Sequence, residues 1–256
     1  MQLRILGCSG GIGAGNRTTA LLLGRHVLID AGTGLGELTM DELAQIDHVF
    51  LTHAHMDHIA CLPMLIDTVF SKRTQPITVH GCSATLAALR EHVFNWRIWP
   101  DFTAIPSPEA GMLRLCTFEA GETRSAAGCG ITALPVRHTV PALAYALDSG
   151  HSTLVFSGDT ADCAEFWGAV NALPQLATLI IETAFADHEQ ALAEVSRHFS
   201  PRQLIAALSQ LARPEQVQIL ITHLKPADQE LTMREVLASG GHYRIARLAQ
   251  GQTIEF

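Results

Sequence analysis

Four residues within six positions carry the densest chemistry of the chain: His53, His55, Asp57 and His58, in the stretch LTHAHMDHIA (51–60). Their pattern is H-x-H-x-D-H. An apolar run precedes it and a helical pattern follows, which places it on the turn at the C-terminal end of a strand. Alternate residues of an extended turn project together, so His53 and His55 can grip one ion. Asp57 and His58, entering the helix, point to a neighbouring position. Imidazole and carboxylate suit zinc, iron or manganese, and the motif contains no thiolate. A surface histidine cluster would have no need of the aspartate, so a metal site is the stronger reading.

The elements that must hold such a site are short. Branched apolar runs predict strands over 2–6, 19–23, 26–30, 48–52, 77–81, 130–136, 143–147, 152–157, 178–181 and 217–222. Apolar positions three and four apart predict helices over 60–70, 84–95, 187–198, 202–212 and 228–239. Pro63, Pro201 and Pro226 fall near helix starts, where a missing N–H costs little. Two sheets with helices outside them satisfy this order. A doubly wound sheet does too, although the shortage of helices relative to strands weighs against it.

Composition bounds the rest. A hydrophobic fraction of 48% and a charged fraction of 16% over 256 residues describe a packed globule, read as a single domain over 1–256. No run of apolar residues is long enough to span a membrane. The start MQLRILGCSG has no signal-peptide pattern, so a cytoplasmic location is expected. Cys8, Cys61, Cys82, Cys116, Cys129 and Cys163 are scattered without a C-x-x-C pair and are expected to be reduced. A net charge of −8 disfavours a long nucleic acid, while a small anion stays open because bound cations reverse the local field. The Gly-rich stretch 6–19 fits neither G-x-G-x-x-G nor a P-loop. It reads as a tight, close-packed loop, with a site-lining role for its backbone or Arg17 as the alternative.

H-x-H-x-D-H after a strand resembles the hallmark of the metallo-β-lactamase fold superfamily. That resemblance implies an α/β fold in four layers, an αββα sandwich of two mixed sheets flanked by helices. It also implies further ligands: His138 in PVRHTVPALAY, Asp159 in LVFSGDTADC and His223 in ILITHLKP. The stretch VLIDAGTG (27–34), with Asp30, looks like the family's early strand and turn. Read singly, His138 or His223 could equally be a packed core histidine; their order and strand-end placement favour ligands. The implied site holds two divalent ions, zinc first, with iron and manganese as alternatives. His53, His55 and His138 take one ion, Asp57, His58 and His223 the other, and Asp159 bridges. Such ions stand roughly 3.5–4 Å apart and hold a hydroxide between them, so hydrolysis is the implied chemistry. His26, His48, His80, His92, His151, His188 and His242 match no motif position and are expected to pack or face solvent.

The ligand set does not choose the substrate. HTVPALAY (138–145) and SGDT (157–160) are similar to tRNase Z, as are Glu182 in LIIETAF and His198 in EVSRHFSP, which match that family's glutamate and downstream histidine at the phosphate, but only 20 residues separate His138 from Asp159, which leaves no room for that family's inserted arm. DAGTG (30–34), THAHMDHI (52–59), IETAF (181–185), EVSRHFSP (194–201) and ITHLKP (221–226) resemble class II 3′,5′-cyclic-nucleotide phosphodiesterases. That resemblance implies in-line attack on a cyclic nucleotide such as cyclic AMP, opposite the 3′ oxygen, to give the 5′-nucleotide. The catalytic set would be Asp57, Lys225 on a phosphoryl oxygen, and His198 as the acid, oriented by Glu182. A helix cap is the bland reading of His198, and a solvated lysine that of Lys225. Two alternatives stand beside this: a tRNase Z-like RNA phosphodiesterase, and a di-iron oxygen-binding or redox-sensing protein. Dimers are common among such proteins, so a homodimer is compatible with the resemblance.

Overall fold

The computed structural model describes residues 1–256. Six strands follow one another across a first sheet: β1 (Gln2–Gly7), β2 (Ala20–Leu23), β3 (Val27–Ile29), β4 (His48–Phe50), β5 (Ile77–Gly81) and β6 (Leu113–Thr117). Seven build a second: β7 (Thr123–Ala126), β8 (Cys129–Pro135), β9 (Leu143–Asp148), β10 (Thr153–Phe156), β11 (Leu176–Glu182), β12 (Gln218–Thr222) and β13 (Arg244–Arg247). The last strand, β14 (Thr253–Glu255), returns to the first sheet and pairs with β1. Both sheets are mixed. β1 to β3 and β7 to β10 run as antiparallel meanders, while β3 to β6 and β10 to β13 pair in parallel.

Eight α-helices connect them: α1 (Met40–Leu43), α2 (Met56–Ile59), α3 (Leu62–Val69), α4 (Ser83–His92), α5 (Ala164–Ala172), α6 (Gln190–Ser196), α7 (Pro201–Leu208) and α8 (Gln229–Ser239). Alternation along the strands fixes the layers. Leu21 and Leu23 face the second sheet and join Ile5, Phe50, Tyr145 and Phe156 in the central core. Ala20 and Leu22, one residue out of phase, join Leu65 and Ile66 of α3 and Leu86 and Leu89 of α4 outside the first sheet. Val155, Leu179 and Ile219 likewise pack on Trp167 of α5, Leu204 of α7 and Val236 of α8. The layers are helix, sheet, sheet, helix, as the family resemblance implies; a doubly wound single sheet is not what forms.

The two sheets are stitched together beside the H-x-H-x-D-H turn. The Tyr145 hydroxyl of β9 donates to the Leu51 carbonyl at 2.5 Å, and Leu143 N donates to Thr52 O at 2.9 Å. Tyr145 and Phe118 also meet Phe50 edge-on, with centroids 5.9 and 5.6 Å away. Residues 51 and 52, which lead into the motif, are therefore held by both sheets.

All ten predicted strands form. Four more, β6, β7, β13 and β14, were not predicted, and they are the four outer strands of the two sheets. The helix predicted over 187–198 is shorter: a 3-10 turn over Asp187–Glu189 leads into α6, which ends at Ser196 because Arg197 is left-handed, φ 54°. No helix is long and apolar enough to cross a membrane.

Candidate metal centre

The candidate ligands gather at strand ends. His53, Asp159 and His223 follow β4, β10 and β12 at their C-terminal ends, and His138 lies between β8 and β9. Backbone conformation at the site is unusual. Asp30, Arg197 and His223 adopt left-handed φ values of 55°, 54° and 61°, a region L-residues with side chains seldom occupy unless their surroundings impose it.

The structure brings all seven side chains to one place in two groups, His53–His55–His138–Asp159 and Asp57–His58–Asp159–His223. Within each group the candidate ligand atoms lie within 4.8 Å of one another. Asp159 belongs to both: Oδ2 is 3.6 Å from His53 Nε2, 3.4 Å from His58 Nε2 and 4.0 Å from His138 Nε2, and Oδ1 is 3.3 Å from His223 Nδ1. Asp57 Oδ2 closes the second group, 3.8 Å from His223 Nε2. His138 Nε2 and His55 Nδ1 converge to 3.2 Å.

A pair of divalent ions fits these donors. His53 Nε2, His58 Nε2 and both ring nitrogens of His223 are buried with no hydrogen-bond partner, a costly state unless something else coordinates them. Outer hydrogen bonds aim the rings, as in sites where imidazoles coordinate a metal. Thr52 Oγ1 lies 3.0 Å from His53 Nδ1. Asp30 Oδ2 lies 2.7 Å from His58 Nδ1 and accepts from Thr52 Oγ1 at 2.8 Å, while Asp30 Oδ1 accepts from Thr52 N at 2.8 Å. The Arg197 carbonyl lies 3.2 Å from His138 Nδ1, and the Arg197 guanidinium donates back to His138 O at 2.5 Å. In each case the other ring nitrogen, Nε2, is left for the centre.

The Gly-rich loop is close-packed at its base, at Gly7 and Gly10, but open at its tip, where residues 12–15 are exposed; its base also touches the site. A Cβ on Gly10 would stand 2.4 Å from the His223 carbonyl, and one on Gly32 would stand 2.2 Å from the Asp57 carbonyl. Neither position tolerates a side chain without moving a candidate ligand. Arg17 is not at the site: it pairs with Glu37 at 2.9 Å.

Of the four expected catalytic residues, Asp57 lies in the second group, and Glu182 and His198 stand together beside both. His198 Nδ1 is 2.8 Å from Glu182 Oε1, and the His198 ring stacks on His223 (5.2 Å, 15°) and meets His138 at 5.0 Å. Both readings of His198 have a counterpart: its N–H caps α6 through Ala193 O at 2.9 Å, while its side chain turns to the centre. Burial pushes the His198 pKa down, but the charge of Glu182 and the hydrogen bond to it outweigh burial, so the net direction is up. Burial raises Glu182 itself. Lys225 is half-buried. Its Nζ donates to the Gly10 carbonyl at 2.6 Å, pinning the loop against His223. Thr52 and Arg197 touch the candidate ligands His53 and His138, contacts that no sequence motif assigns. Thr52 was findable as the hydroxyl next to His53; Arg197 acts partly through its carbonyl, which has no sequence signal.

Comparison with known proteins follows the same lines. A family model described as a β-lactamase superfamily domain matches residues 25–223, more than half of the chain. The chain therefore belongs to the metallo-β-lactamase superfamily. It is 30% identical over 156 residues to a ribonuclease Z of Clostridium beijerinckii, covering 57% of this chain and 48% of that protein. It is 26% identical over 211 residues to a probable 3′,5′-cyclic-nucleotide phosphodiesterase of Yersinia pestis, covering 72% of this chain and 59% of that one. The chain thus spans about half the length of these curated relatives. Unliganded yeast PDE1 shares the fold over 100% of this chain and 99% of its own, with a TM-score of 0.82 at 20% identity. A metallo-β-lactamase fold protein, YhfI of Bacillus subtilis, does so over 99% of each chain, with a TM-score of 0.77 at 18% identity.

Proposed function

We propose that the chain is a dinuclear metal-dependent phosphodiesterase acting on 3′,5′-cyclic nucleotides. One observation carries the phosphodiester chemistry, whichever the substrate: two ligand groups share Asp159, and the His198–Glu182 pair lies against both. Two divalent ions there would neutralise charge on the phosphoryl oxygens and make water nucleophilic at neutral pH. Attack at phosphorus breaks the P–O3′ bond, and the departing 3′ oxygen needs a proton. His198 supplies it from Nε2, which makes no hydrogen bond within the chain. Glu182 fixes the tautomer through Nδ1 and is itself held by Thr160 N at 3.0 Å. Lys225 gives one of its three donors to Gly10 O and keeps two for a phosphoryl oxygen.

The relative named for cyclic nucleotides aligns over more of this chain than the ribonuclease Z does, and the net charge of −8 opposes a polyanion. An RNA phosphodiesterase is the second reading, supported by the Clostridium match. Assay of cyclic mononucleotides, a pre-tRNA and a thioester under defined metal loading tests the choice; pre-tRNA cleavage without cyclic-nucleotide turnover would reverse it. His198→Ala should lower turnover of cyclic AMP about 10²-fold or more and spare bis(p-nitrophenyl) phosphate, whose leaving group needs no proton. Equal losses on the two substrates would remove His198 from the acid role.

A further inference from the structure

A polar pocket of about 270 Å³ has His198 in its wall, together with Arg137, Asp162, Glu194, Arg197 and Gln203. Two of these residues touch the candidate ligands. The His198 ring lies against His223 and His138, and the Arg197 carbonyl faces His138 Nδ1 at 3.2 Å. Arg137 directly precedes His138, and its main chain is pinned to the turn after Asp159. Arg137 N donates to Thr160 Oγ1 at 3.1 Å, and Ala161 N donates to Arg137 O at 2.8 Å.

Most of the polar wall already has partners. Asp162 Oδ1 accepts from Trp167 Nε1 and Gln210 Nε2, both at 2.9 Å. Glu194 Oε1 accepts from Gln190 Nε2 at 2.9 Å and Gln203 Nε2 at 3.3 Å, and Gln203 Oε1 accepts from Ser200 N at 2.9 Å. Arg197 gives Nη1 to His138 O. Arg137 is engaged only through its main chain, so its guanidinium keeps all five donors for a ligand. Two guanidiniums and two carboxylates leave the wall without net charge, which suits a neutral, hydroxyl-bearing group better than a further phosphate.

We propose that this pocket holds the sugar of a ribonucleotide whose phosphate lies at the His/Asp groups, with Arg137 donating to the 2′-hydroxyl. The inference rests on the phosphodiesterase reading, with His198 as the acid. An acid that protonates the 3′ oxygen stands beside it, so the carbon bearing that oxygen lies on the His198 side of phosphorus. The 2′ oxygen is carried by the next carbon of the ring, which brings it to the pocket that His198 lines. A 2′-deoxy analogue cannot make this contact, and a site built to hydrogen-bond a hydroxyl rejects the analogue without it. Arg137 thereby selects ribonucleotides over deoxyribonucleotides.

The test uses the full chain loaded with zinc. Binding of 5′-AMP and 2′-deoxy-5′-AMP is measured by calorimetry, and kcat/KM is measured for 3′,5′-cyclic AMP and its 2′-deoxy analogue. The parent should favour the ribose member of each pair about tenfold or more, the scale of one hydrogen bond to a charged group. Arg137→Met should bring both ratios to within about twofold of unity. Arg90→Met, at an exposed position on α4, removes the same charge elsewhere and should keep the parent's ratios. A disturbed fold weakens both members of a pair alike, so the ratio reports the contact itself. A parent that binds neither nucleotide or ignores the 2′-hydroxyl, or a preference that survives in Arg137→Met, overturns the proposal. A ribose preference in binding that Arg137→Met abolishes, in a chain that leaves cyclic AMP intact, sinks the cyclic-nucleotide reading and keeps the sugar pocket.

Discussion

His58 and His138 each present Nε2 to the centre, but different partners hold them there. His58 is braced by a carboxylate: the fully buried Asp30, fixed in turn by the main chain and hydroxyl of Thr52. The brace lies within the first sheet and its turns. His138 is braced by a peptide carbonyl from Arg197, 59 residues away on the segment after α6, with the guanidinium closing the loop onto His138 O. A carboxylate makes the imidazole a stronger donor and fixes its tautomer by charge; a carbonyl fixes the tautomer with less electrostatic gain. The His58 side should therefore depend on one charge, and the His138 side on the shape of a loop.

The sharpest way to break this comparison is to remove what the two sides share. Asp159→Asn should cost about 10³-fold or more in phosphodiester hydrolysis, the scale of losing a principal charge-stabilising group, and both ions should leave on dialysis. Retention of one ion in that variant would mean the two groups do not depend on a common ligand. A smaller effect separates the sides. Asp30→Asn should lower the affinity for one ion about 10–100-fold, read by competition with a chromophoric chelator. Arg197→Gly keeps the carbonyl and suits the left-handed backbone, so it should cost less than Asp30→Asn. Equal losses would show that the charge of the brace is immaterial.

The smallest effect lies outside the centre and gives its baseline. His80 is buried against Phe50, with centroids 4.3 Å apart, and Nε2 faces His48 Nδ1 at 3.1 Å. Burial, with His48 adding to it, pushes its pKa down to about 4 from an ordinary 6.5. A depressed value means the neutral form is the folded one. Its contribution to stability is complete above pH 6.5 and is lost as pH falls toward 4. In chelated protein, His80→Phe should flatten the acid decline of Tm over this window by about 2–4 °C, the shift expected for roughly 1 kcal/mol in a chain of this size.

The contrast between carboxylate and carbonyl braces also explains how much could be read from the sequence. Nine of the ten predicted strands carry apolar residues on both faces, because each lies between a helix layer and the facing sheet; β5 is the exception, with Ile77 and Val79 toward the helices and Thr78 and His80 inward. The four that escaped, LRLCT, TRSA, RIAR and TIE, form the sheet edges, half-exposed and studded with polar residues, as exposed edges must be to avoid pairing with other chains. α5 escaped as well, since AEFWGAVNA is short and interrupted by Gly168. At the site, side chains were legible and main chain was not. The turn from 53 to 58 announces its chemistry by residue type. The Arg197 and Gly10 carbonyls that orient His138 and hold Lys225 could belong to any residue, and only the fold selects them.

The most direct measurement is a metal titration of activity. Protein stripped by chelator and dialysis is reloaded stepwise with zinc, and hydrolysis of 3′,5′-cyclic AMP is followed against bound metal determined by elemental analysis. A centre built from two groups around Asp159 predicts no turnover in the stripped protein and full recovery at two equivalents per chain. Turnover that survives complete stripping, or saturates at one equivalent and is indifferent to the second, would contradict it.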